Sequence, residues 1–325
     1  MLGRGLALAS RTSFSPSQYT ALLPARLSSR QYSTNPPKNL AFALDIDGVL
    51  KQGPNVLPAA LRAFNLINGA NPLKTPIPFL LLTNGGGYSE SERAIRLSKD
   101  FQFDLGVGRI IQAHTVMKSL TRLYGDKPVL CLGGPEMPPG RARSVMNGYG
   151  FGDVYTAHDL IASAPSSWPF STISDAQRAE VRKADFSKVK FAAVMVFHDS
   201  RDFGRDIQFI VDILRSRDGV FGTIDDERRP GHTKSQIPLY FSHGDLLWGN
   251  DFPVVRYGQG AFRIACESIY EATTGNKLEY TVFGKPERLT YEDVDGEPAH
   301  KPTVLVDDVE QAVKVAIRQT WGVDC

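Results

Sequence analysis

The residues in this 325-residue chain that could do chemistry fall at the ends of three short apolar runs. Leu40-Ala-Phe-Ala-Leu-Asp45-Ile-Asp47-Gly48 places two carboxylates two positions apart where a strand-like run stops, and Gly48 lets the chain turn away. Ile77 to Leu82 runs into Thr83-Asn84-Gly85, and Tyr280 to Phe283 runs into Gly284-Lys285-Pro286. In an open α/β sheet, ligands bind outside the carboxyl ends of the strands, so all three stops suit a site. A carboxylate attacking a phosphate ester drives anion against anion. It needs cationic compensation, and hydroxyl or amide donors for the phosphoryl oxygens. A divalent ion on Asp45 and the Lys285 ammonium would supply the first, and Thr83 and Asn84 the second. Taken alone, D-x-D-G reads equally well as a strand followed by an Asp-Gly turn.

The elements that must position these groups alternate between strand and helix. Strands are expected at about 40–46, 77–82, 128–132, 191–197, 237–241 and 280–283. Helices are expected at 58–68, from Ser89, and at 112–124, 206–215 and 262–273. Ser89 and Glu92 stand at capping-box spacing. The polar stretch from Ser163 to Lys190 has loop composition and is expected to be a surface excursion. The pattern divides the chain into a leader at 1–32, a first α/β part at 33–125, a second at 126–280 and a return at 281–325.

Composition narrows the function classes. At 42% hydrophobic and 22% charged the chain has the make-up of an ordinary globular protein, and no apolar run is long enough to span a membrane. Residues 1–44 contain no Asp or Glu, while Arg4, Arg11, Arg26 and Arg30 are spread among Ser, Ala and Leu. Such a leader reads as a mitochondrial transit peptide, with Arg30-Gln-Tyr32-Ser33 resembling a matrix-peptidase site. The alternative is a disordered basic tail. Removing 1–32 takes away four of the 37 basic residues and none of the 35 acidic ones, so the remainder is slightly acidic. No nucleic-acid partner is expected of it. Cys131, Cys266 and Cys325 make neither a C-x-x-C pair nor a disulfide framework, and the six histidines show no ligand spacing and read as structural or surface residues. Gly85-Gly-Gly87 does not make the G-x-G-x-x-G of a dinucleotide site.

The three stretches resemble motifs I, II and III of the haloacid dehalogenase (HAD) superfamily, in order. The 202 positions between Thr83 and Lys285 resemble class IIA, in which an α/β cap of the C2 type is inserted into a Rossmann-like parallel core. The leader, Val196-Phe-His-Asp-Ser200 and Arg256-Tyr-Gly-Gln-Gly-Ala-Phe262 resemble the cat eye syndrome critical region family of mitochondrial HAD-like hydrolases. The resemblance implies an Mg²⁺-dependent phosphohydrolase of a small phosphorylated metabolite. Asp45 would be nucleophile and metal ligand. Asp47 would be general acid and base, with its carbonyl on the metal. Thr83, Asn84 and Gly85 would hold the phosphoryl group, and Lys285 would neutralise it. His243, Asp245 and Asn250 would contribute specificity from the cap, although they also read as a polar loop. Mitochondrial location suggests a glycerol phosphate or related phospholipid precursor.

Family members carry a fourth motif after the lysine, a strand ending in Gly-Asp with a further Asp about four residues on. Here Thr303-Val-Leu-Val306-Asp307-Asp308 fits only its first half, leaving Asp307 and Asp308 as candidate metal ligands. Gly296 to Val313 resembles instead the family's extreme C-terminal segment. The expectation is that motif IV is missing at a join near Tyr291 to Asp295. The strand carrying Asp45 then becomes an exposed edge, open to homodimerisation. A catalytically impaired, structural or regulatory protein is the alternative function.

Overall fold

The computed structural model describes residues 40–136, 138–225, 236–285 and 304–325. The leader, Pro286 and the join near Tyr291 lie outside the described residues. The architecture is mixed α/β with two parallel sheets, as the alternation implies.

The first sheet has strands β1 (Phe42–Leu44), β2 (Phe79–Thr83) and β3 (Ile110–Gln112), in the order β1-β2-β3. Leu44 pairs with Leu81 and Thr83 with Gln112, so the β1 and β2 ends that carry Asp45 and Thr83 open on the same side. Helix α1 (Pro58–Ile67) begins on a proline, whose fixed φ suits a first turn and whose missing N–H costs nothing there. It buries Ala60, Ala63, Phe64 and Ile67. Phe64 packs among Phe79, Phe101 and Phe103, and truncating it to Ala would cost about 3–5 kcal/mol. Helix α2 (Glu90–Phe101) is capped by Ser89, whose hydroxyl accepts from Glu92 N–H. The reciprocal half of the box does not form, because the Glu92 carboxylate turns to Arg96 and Arg141. The helix expected at 112–124 is mostly a 3₁₀ stretch, Ala113–Leu120, with one α-turn after it.

The second sheet has five parallel strands: β4 (Val129–Leu132), β5 (Val154–Tyr155), β6 (Ala193–Val196), β7 (Leu239–Phe241) and β8 (Thr281–Val282), ordered β8-β7-β6-β4-β5. Strands β4 to β7 are buried along their length, as a sheet covered on both faces requires, while the edge strand β8 is half-buried. Helices α3 (Arg141–Tyr149), α4 (Ala157–Ser163), α5 (Phe203–Arg215) and α6 (Gln259–Thr274) accompany it. The segment 163–190 is more than a surface excursion. Ile173 and Phe186 are buried in this core, where Phe186 meets Tyr155 and Phe191.

The C-terminal helix α7 (Val309–Trp321) returns to the first unit, burying Val309, Val313 and Ile317 in its core and pairing Glu310 with Arg62 of α1. Among the described residues, β1 has a strand partner on one side only, and Val304 to Val306 is exposed and forms no strand beside it.

Candidate active site

Strand β1 delivers Asp45, and the turn that follows delivers Asp47. Ile46 carbonyl accepts from Leu50 and Lys51 N–H, closing a tight loop in which Gly48 adopts φ +83, a region costly for a side chain. Asp45 Oδ1 lies 2.8 Å from Lys285 Nζ. Asp47 Oδ2 accepts from Thr83 Oγ1 at 3.3 Å, and Thr83 Oγ1 accepts from Gly85 N–H at 2.9 Å. A Cβ at Gly85 would stand 2.7 Å from Asp47 Oδ2, so only glycine leaves that carboxylate its place.

Asn84 joins the units. Its Oδ1 accepts from Lys285 N–H at 2.8 Å, and its Nδ2 donates to Lys285 carbonyl at 3.0 Å and to Asp245 Oδ1 at 2.9 Å. Lys285 follows three residues after β8, so the second sheet carries the lysine to the carboxylates at the end of the first. Gly284 sits at φ +80, where a Cβ would stand 2.7 Å from His243 Cβ and 2.8 Å from Asn84 Oδ1.

The specificity candidates divide. Asp245 reaches the site through Asn84, and His243 lies buried directly behind it, with Nδ1 3.8 Å from Asp245 Oδ2. Asn250 accepts from Phe252 N–H within an exposed apolar hairpin, where Leu247–Trp248 pairs with Arg256–Tyr257.

The Gly85-Gly86-Gly87 turn is held by a group that no sequence motif marks. His114 is fully buried, stacks on Phe197 of the second unit at 4.2 Å and accepts Gly87 N–H at Nε2. The ring proton therefore sits on Nδ1, facing Tyr149 hydroxyl at 2.8 Å, and that hydroxyl donates to Glu90 at 2.7 Å. Burial holds His114 well below the ordinary imidazole pKa, helped by His198 and Lys118 nearby.

Asp45 and Asp47 offer hard oxygen donors at one strand mouth. An Mg²⁺ ion that keeps several waters would take the Asp45 carboxylate and the Asp47 carbonyl. Asp307 and Asp308 form no close group with them among the described residues. Asp308 caps α7 by accepting from Gln311 N–H, and Asp307 Oδ2 lies 3.5 Å from Gln311 Nε2. Among the described residues, the one group of three metal-ligating side chains is His198, Asp199 and His243. A cavity of about 620 Å³ between α2 and α3, lined by Glu90, Glu92, Lys118, Arg141 and Tyr149, holds none of the residues at the strand mouths.

Comparison with known proteins finds similar chains. Residues 42–152 match the family model described as haloacid dehalogenase-like hydrolase. The chain is 40% identical over 257 residues to Mitochondrial hydrolase YKR070W of Saccharomyces cerevisiae, covering 78% of this chain and 69% of that protein. It is 36% identical over 260 residues to the Cardiolipin synthase (CMP-forming) / mitochondrial hydrolase fusion protein of Schizosaccharomyces pombe. That match covers 79% of this chain and 41% of the fusion. A similar solved structure is 4-nitrophenylphosphatase from Thermotoga maritima, with a TM-score of 0.47 at 15% identity, covering 78% of this chain and 71% of that one. With a family model on the first sheet and 40% identity across more than two thirds of a yeast hydrolase, the chain belongs to the haloacid dehalogenase-like hydrolases.

Proposed function

We propose that this chain is a mitochondrial Mg²⁺-dependent phosphohydrolase acting on a small phosphorylated metabolite through an aspartyl phosphate on Asp45. The observation that carries this reading is the 2.8 Å approach of Lys285 Nζ to Asp45 Oδ1, with Thr83 and Asp47 beside them.

The Asp45 carboxylate attacks phosphorus, and the bond to the leaving oxygen breaks as that oxygen takes a proton from Asp47. Water then attacks the aspartyl phosphate, giving its proton to Asp47 and releasing inorganic phosphate with Asp45 restored. Thr83 hydroxyl and the backbone of Gly85 hold the phosphoryl oxygens. Lys285 offsets the charge that builds when two anions meet. Asp45 and the Asp47 carbonyl would hold an Mg²⁺ ion, which would supply further charge compensation. The cap segment at His243 and Asp245 faces the substrate. The names of the two mitochondrial relatives support a mitochondrial setting, and the fusion of the Schizosaccharomyces pombe relative to cardiolipin synthase supports a phosphorylated glycerolipid precursor.

The test is inorganic phosphate release from a panel of phosphorylated metabolites, with and without Mg²⁺, by residues 33–325 and the Asp45→Asn variant. Turnover that requires both Asp45 and Mg²⁺ supports the reading. A folded protein that releases no more phosphate than the variant overturns it. That result favours the second reading, an impaired protein with a structural or regulatory role, which the lack of a third carboxylate beside Asp45 and Asp47 among the described residues supports.

A further inference from the structure

Two strands of the second sheet end in histidine at the same level. Val196 of β6 pairs with Phe241 of β7, and the chain reaches His198 and His243 two residues beyond each partner. Asp199 lies between them. Its Oδ1 is 3.4 Å from His243 Nε2, and its Oδ2 is 3.8 Å from His198 Nδ1. One ligand atom from each of the three residues falls within 4.8 Å of the others.

The backbone around the cluster is built to leave it no room to shift. A Cβ at Gly133 would meet His198 carbonyl at 2.1 Å, Gly134 N–H donates to Asp199 carbonyl at 3.0 Å, and Gly284 lies against His243 Cβ.

The polar atoms inside this cradle face one another only at 3.4–3.8 Å. His243 is 3% exposed, and neither of its ring nitrogens has a hydrogen-bond partner; the same holds for Asp199 Oδ1. A buried imidazole and a carboxylate oxygen left this way cost free energy unless something between them accepts their lone pairs.

We propose that His198, Asp199 and His243 bind a divalent transition-metal ion, at a site separate from the carboxylate pair of Asp45 and Asp47. Nitrogen and oxygen donors about 2.0–2.2 Å from a tetrahedral ion stand about 3.4 Å from each other, the separation found between His243 Nε2 and Asp199 Oδ1. Two imidazoles and one carboxylate favour Zn²⁺, Co²⁺, Ni²⁺ or Fe²⁺ over Mg²⁺ or Ca²⁺, which prefer an all-oxygen shell. Asp245, 3.8 Å from His243 Nδ1, stands where an outer carboxylate orients a metal-bound histidine.

Arg93 and Arg201 lie close enough to oppose a cation, and the carboxylates of Asp199 and Asp245 offset them. Asp199 and His198 remain partly exposed, at 16% and 12% of their side chains.

The test is Co²⁺ titration of the full chain carrying Asp45→Asn, which weakens the carboxylate site, followed by visible absorption. One equivalent giving the intense bands of four- or five-coordinate Co²⁺, displaced by Zn²⁺ and lost in both His198→Gln and His243→Gln, is the expected result. Asp245→Asn should weaken binding about 10–100-fold without abolishing it. Circular dichroism and thermal melts of the metal-free variants establish that they fold. Folded parent protein that shows only the weak spectrum of octahedral Co²⁺, or bands unchanged by both glutamine substitutions, overturns the proposal. Because the parent lacks the nucleophile, neither outcome depends on the phosphohydrolase reading.

Discussion

Asn84 grips the backbone of Lys285 on both sides, accepting from its N–H at 2.8 Å and donating to its carbonyl at 3.0 Å, much as a neighbouring strand would. A side chain from the first unit thus fixes a residue that the second unit delivers. Asn84→Ala removes both bonds from a site only 7% exposed, so it should destabilise the protein by about 2 kcal/mol and let the lysine wander. Urea unfolding should register the first effect, and a drop in kcat for phosphate release the second. Unchanged turnover in a folded Asn84→Ala protein would show that the grip does not position Lys285.

Lys285→Gln separates charge from structure. The Asp45 side chain is 37% exposed, so the ion pair is solvent-screened and worth about 0–1 kcal/mol to folding. Its part in offsetting the transition-state charge should be much larger, about 10²–10³ in kcat. A melting temperature close to that of the parent, with turnover reduced by that factor, is the expected pair of results.

Gly85→Ala should behave in the same direction for a different reason. The new methyl group would stand 2.7 Å from Asp47 Oδ2 and 3.1 Å from Thr83 Oγ1, the ends of two side chains that can rotate away. Stability should change by less than about 1 kcal/mol, while kcat falls because the proton-transfer group has moved. The pH–rate profile, which reports the acid and base groups, should shift with it.

The His114 site makes stability depend on pH. Its folded pKa lies well below the 6.5 of the unfolded chain, chiefly through burial, with His198, Lys118, Arg93 and His243 adding positive charge around it. Above pH 6.5 both states are neutral and the stability is fully present. Below it the unfolded chain takes up a proton that the folded one refuses, so stability falls by up to about 1.4 kcal/mol per pH unit until the folded pKa is reached. Urea unfolding between pH 7 and 5 should show this slope. His114→Gln should reduce the slope to what His158 and His198, whose imidazoles burial also holds low, still contribute.

Thiol chemistry should single out one cysteine. Burial pushes Cys131 and Cys266 up to about 12, and both are enclosed, whereas Cys325 is exposed at the chain end. A thiol reagent should label Cys325 within minutes in the native protein, and the other two only on unfolding.

The chain's own patterning revealed the parts that repeat along it. Apolar runs ending at Asp45, Thr83 and Gly284-Lys285 announced three strand mouths, and the structure brings these residues together. Ser89 announced its helix by an oxygen at the right offset, yet Glu92 found two arginines that a local rule does not see. His198 and His243 are 45 positions apart and looked like unrelated histidines. Only the pairing of β6 with β7 makes them neighbours. His114 and Tyr149 were silent for the same reason, since the contact between them crosses from one unit to the other. Phe186 sat in a polar stretch whose composition hid a buried anchor.

Lys285 follows three residues after β8, the edge strand of the second sheet, while the carboxylate it faces belongs to the first. The ion pair therefore spans two sheets, and a change in their relative placement that broke the Asn84 grip would draw the ammonium away from Asp45 as well, so that under the proposed function charge compensation depends on how the two units are seated.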